Sequence, residues 1–78
     1  MDIQTEKIEI STEFIKLDQL LKFSGAAEIG SEAKAMILDG IVDVNGECCT
    51  MRGKKIRSGD IVEIHADDII LRLEVSGK

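Results

Sequence analysis

At 78 residues the chain is the size of one small domain. A chain of that length buries only ~60% of its unfolded surface, which leaves little room for a deep catalytic cleft. Its 44% hydrophobic and 32% charged residues fit a globular fold and exclude a disordered chain, and no apolar run approaches the ~20 residues that span a bilayer. The net charge of −5 argues at first against a nucleic-acid partner. The charge is unevenly spread, however. Residues 1–13 hold four acids and one base, and residues 60–78 hold five acids and two bases. Between them, residues 14–59 hold seven bases against six acids, so the midsection is the basic part.

The opening MDIQTEKIEI is acidic and alternating, with no basic region ahead of an apolar stretch. It is not a secretory signal, and a cytoplasmic protein without membrane contact is expected. Within it, Lys7 to Ile10 alternates and predicts a short strand with Ile8 and Ile10 on one face. In KLDQLLKFSG, residues Leu17, Leu20, Leu21 and Ser24 fall at i, i+3, i+4 and i+7. That spacing predicts an amphipathic helix of about two turns, stopped by Gly25. A second helix is expected from about Ser31, whose hydroxyl can cap free amides, with Ala33, Met36 and Ile37 inward and Gly40 after its end.

MILDGIVDVNGE then changes period, from helical up to Asp39 to alternating after Gly40. It predicts a strand Ile41 to Val44, a type I′ turn at Asn45-Gly46 and a strand Glu47 to Thr50. MRGKKIRSGD follows as a basic loop closed by a Gly59-Asp60 turn. IVEIH and IILRLEV predict two last strands around Asp67-Asp68. The fold class read from this order is α+β, two short helices packed on a small mixed or antiparallel sheet, as a single domain over 1–78.

Cys48 and Cys49 are neighbours that a strand would point to opposite faces, so neither a bridge nor a zinc site is expected. His65 has no Ser or Cys partner at a suggestive position, and Phe14 and Phe23 are expected in the core. With no nucleophile–base pair, no metal-ligating spacing and no cofactor motif, an enzyme is disfavoured.

The residues over 16–64 resemble the alpha-L RNA-binding domain, the family named after the fourth small-subunit ribosomal protein. The family's opening Arg-Leu-Asp, then Leu and Gly, is matched by Lys16, Leu17, Asp18, Leu21 and Gly25. Its helix-two alanine and isoleucine are matched by Ala33 and Ile37, its Gly-x-Val-x-Val-Asn-Gly by GIVDVNG, and its Val-x-x-Gly-Asp by Ile56, Gly59 and Asp60. Four blocks in order are a specific signal, where VNG alone is weak. The chain is most similar to the stand-alone bacterial members of the YaaA and YbcJ type. One departure stands out: where the family usually carries Ser-Arg at the start of helix two, with the arginine on RNA, this chain has Ile29 and Gly30.

The resemblance implies binding of a structured RNA, ribosomal or transfer, without catalysis and without a cofactor. The candidate contacts are Lys16, Lys22, Lys34, Arg52, Lys54, Lys55 and Arg57. Helix two and the loop would then form one phosphate-binding edge that reads the shape of a duplex. Two phenylalanines in the whole chain give little support to base stacking. A monomer is expected. The alternatives are a solvated charge run that keeps a strand edge soluble, and an adaptor that keeps the fold but binds a protein partner. A ubiquitin-like sulfur carrier would need a C-terminal Gly-Gly, and the sequence here reads Ser76-Gly77-Lys78.

Overall fold

The computed structural model describes residues 2–77, so the outermost residues of the expected domain, Met1 and Lys78, lie outside the described residues. In chain order the elements are β1 (Asp2–Ile10), β2 (Ile15–Lys16), α1 (Leu17–Phe23), α2 (Gly30–Leu38), β3 (Val42–Val44), β4 (Glu47–Cys48), β5 (Lys55–Ile56), β6 (Ile61–His65) and β7 (Ile69–Gly77). Five strands make one sheet in the order β1-β7-β6-β3-β4, and β2 and β5 make a separate two-stranded ribbon. The sheet is mixed: β1 runs parallel to β7, and every other neighbouring pair is antiparallel. The α+β class read from the sequence therefore holds.

One face of the sheet is apolar because period-two alternation puts Val42, Val44, Val62, Ile64, Leu73 and Val75 on the same side, all buried. Ile8 and Ile10 extend that face along β1. Leu17, Leu20 and Leu21 of α1 and Ala33 and Ile37 of α2 close over it, each with no exposed surface. Two such short helices would not persist alone in water, so this shared layer is what makes them helical. Among the described residues the core contains no polar or charged side chain.

Several boundaries differ from expectation, each for a physical reason. β1 begins at Asp2 rather than Lys7, because β7 pairs with it over the full nine residues. Asp2 to Thr5 are exposed, so hydropathy does not mark them as strand. Ser31 does not cap α2: the cap residue is Ile29, extended and without a side-chain cap bond, and Ser31 lies exposed in the first turn. The Glu32 carboxylate instead reaches back to accept the Glu28 N–H at 3.2 Å. β4 stops at Cys48, and Cys49 turns inward onto the core while the chain leaves for α1. Phe23 is 64% exposed and not in the core, since six residues from Leu17 falls off the buried stripe. Phe14 is only half-buried.

Gly40 ends α2 at φ 78°, a left-handed conformation that side chains resist. An added Cβ would meet only Cys48 Sγ at 3.8 Å, so space is not the constraint. Gly40→Ala should therefore cost about 1 kcal/mol of purely conformational strain, a Tm lowered by roughly 4–8 °C in a domain this small. Gly53 has no such φ and open space around it, and Gly53→Ala should leave the thermal midpoint almost unmoved. Paired thermal melts of the two variants check this.

Candidate nucleic-acid interface

α1 starts without a conventional cap. Lys16 is its N-cap residue and makes no side-chain cap bond, leaving the first amides of the helix in need of acceptors. The basic loop supplies them. The Leu17 N–H donates to the Lys54 carbonyl at 2.9 Å, and the Asp18 N–H donates to the Arg52 carbonyl at 3.1 Å. Asp18 itself accepts the Gln19 N–H at 2.8 Å and is favoured by the positive end of the helix. The loop is thus fixed by its backbone, which leaves its side chains free to face outward.

Its far end is fixed as well. Asp60 Oδ2 accepts the Arg57 N–H at 2.8 Å and Oδ1 accepts the Asn45 amide at 3.1 Å. The Asn45 side-chain oxygen in turn accepts the Ile61 N–H at 2.9 Å. Asn45 and Gly46 both take positive φ, 52° and 86°, as a type I′ turn demands. The hairpin tip and the Gly59-Asp60 turn are therefore one hydrogen-bonded knot.

Between these anchors lies the ribbon, with Ile15 opposite Ile56 and Lys16 opposite Lys55. Ile56 is fully buried and Ile15 half-buried, so the isoleucines form its inner face. Alternation then puts Phe14, Lys16, Lys55 and Arg57 on the outer face. Lys55 Nζ lies 4.9 Å and Arg57 Cζ 5.8 Å from the Phe14 ring centroid. Like charges directly opposed on a ribbon are unfavourable. Among the described residues, no carboxylate comes within ion-pair distance of Lys16, Arg52, Lys54, Lys55 or Arg57 to relieve that. All five are exposed.

The seven sequence candidates divide accordingly. Lys16, Arg52, Lys54, Lys55 and Arg57 gather at the start of α1. Lys22 lies exposed in the last turn of that helix, about 9 Å along its axis from Lys16. Lys34 is exposed on α2. The backbone bonds of Arg52 and Lys54 go to α1, a different neighbour from the helix-two edge expected from the sequence.

Sequence reasoning missed both strands of the ribbon and the place of Phe14 beside Lys55 and Arg57. The available signal was the triplet pair FIK and KIR, each an isoleucine between outward residues, too short to read as strand without its partner. It also missed a grouping on the outer sheet face, where Asp43, Glu63 and half-buried His65 hold potential ligand atoms within 4.8 Å of one another. His65 Nε2 is 3.0 Å from Asp43 Oδ2, a cross-strand contact linking β3 and β6.

Comparison with known proteins decides the family. The S4 domain profile matches residues 8–72, most of the chain. The chain belongs to the S4 domain family. Within it, the chain is similar to a protein of Bacillus subtilis (strain 168) named "Probable ribosome maturation protein RlbA", 42% identical over 57 residues. The match covers 73% of this chain and 80% of that protein. The S4 match spans both knotted turns, α1, the ribbon and the start of β7, so the basic loop lies wholly inside the domain. Among the described residues, no helix is long and apolar enough to cross a membrane.

Proposed function

We propose that this S4 domain chain is a small non-enzymatic RNA-binding protein that holds a structured RNA, ribosomal or transfer, against the start of α1. The observation that carries it is a group of five exposed cations, four on a loop whose backbone is hydrogen-bonded at both ends and Lys16 beside it, with no carboxylate at ion-pair distance among the described residues. Cations held in this way meet phosphates without a large ordering cost, and they position a nucleic acid rather than read its sequence. Lys22 and Lys34 extend the footprint along the helices. The ribosome-maturation name of the Bacillus relative favours ribosomal RNA and a cytoplasmic setting. The protein acts as a monomer in this reading.

Titration against a folded ribosomal or transfer RNA at several salt concentrations tests it. Four to six phosphate contacts should give a log–log slope of about −3 to −5, at roughly 0.7–0.9 per contact. A second reading, an adaptor for a protein partner, is favoured by Phe23, Ile29 and Leu38, large apolar side chains left exposed around the helices. It expects no salt-dependent RNA binding.

A further inference from the structure

We infer that Phe14 is a stacking platform for one unpaired base, and that the outer face of the β2–β5 ribbon is a site for a single extruded nucleotide. The inference rests on the RNA-binding reading above and names the part of the RNA that this surface takes.

Phe14 is the one aromatic side chain placed among the basic group, two positions before Lys16 on the same face. Phe14 is half-buried, and the ammonium of Lys55 and the guanidinium of Arg57 converge on its ring. A cation over a ring uses no N–H donor directionally, so the three donors of the lysine and the five of the arginine stay available for phosphate oxygens. Lys16, opposed to Lys55 in register, adds a further cation that lacks a carboxylate within 4.0 Å among the described residues. An anion between these two lysines would turn their repulsion into attraction. A nucleotide carries that combination in one unit, a flat face for the ring and a negative group for the cations. A base paired inside an A-form helix has both faces covered by its neighbours, so only a base in a bulge, loop or end fits. The scarcity of aromatic residues argues against stacking along a strand; the placement of one of them argues for stacking at a point.

The test compares a blunt RNA duplex with the same duplex carrying one unpaired adenosine. Wild-type protein should bind the bulged RNA about 5- to 150-fold more tightly, the range that one base–aromatic stack supplies. Phe14→Leu keeps an apolar side chain without the ring. It should erase that preference while changing affinity for the blunt duplex less than about twofold, with an unchanged melt. The chain has neither Trp nor Tyr, so Phe14→Trp introduces a single fluorophore. Its emission should be quenched by the bulged RNA and not by the blunt one. Equal affinity of wild type for both RNAs, or an equal loss on both with Phe14→Leu, overturns the inference and leaves the RNA-binding reading standing. Failure of wild type to bind either RNA overturns both.

Discussion

Replacing Lys54, Lys55 and Arg57 together by glutamate should lower affinity for a folded RNA at least about 100-fold at low salt and flatten the salt slope by two to three units, at roughly 0.7–0.9 per phosphate contact. The fold should not suffer. All three side chains are exposed, and the loop's anchors are backbone groups: the Lys54 carbonyl capping α1 and the Arg57 N–H on Asp60. Surface changes of this kind usually stay within about 0.5 kcal/mol of neutral. One term has a definite sign: Lys55→Glu places an acid opposite Lys16 in register, turning a repulsive pair attractive. Melting should therefore be unchanged or slightly raised. Filter binding at two salt concentrations, with a thermal melt of each protein, reads all of this. An adaptor would show no salt-dependent RNA binding in the wild type and a protein contact that survives the triple reversal.

Asn45→Val should destabilise the domain by about 2–5 kcal/mol, a large share of the ~4–12 kcal/mol typical of a chain this size. Two independent costs meet at that residue. Its φ of 52° is left-handed, which costs a β-branched side chain about 1–2 kcal/mol. Its amide also makes two hydrogen bonds, to Asp60 and from the Ile61 N–H, each worth about 0.5–1.5 kcal/mol. Asn45→Gly separates these costs, because glycine accepts the backbone angle and removes only the side-chain bonds. It should lose about 1–3 kcal/mol. Urea unfolding of both variants measures the difference, and equal midpoints would show that backbone strain contributes nothing at Asn45.

Much of this molecule was legible from its residues because the relevant signals are local. Leu17, Leu20 and Leu21 have a helical spacing and are buried; Gly25 and Gly40 have left-handed φ; Asn45-Gly46 forms the turn its two residues allow. The four blocks at S4 spacing carried the family. Phe14 as half-buried and Phe23 as exposed were not legible, because hydropathy records what a side chain prefers and not whether the fold has space for it. Nor was the start of α2, where Ile29 occupies the cap position that a hydroxyl at Ser31 was expected to fill.

What the sequence by itself determined is the α+β class, the two helices, the hairpin and the concentration of positive charge in RGKKIR. Each depends on residues a few positions apart, where period and φ preference act directly. Only the tertiary structure decided that β1 lies parallel to β7 across the length of the chain. The same holds for the carbonyls of Arg52 and Lys54 that cap a helix more than thirty residues earlier. It holds again for Phe14, set beneath Lys55 and Arg57. These contacts join segments whose separation no local pattern encodes. They form because the unpaired amides of α1 and the buried side of Ile56 must be satisfied by whatever the closed fold brings near.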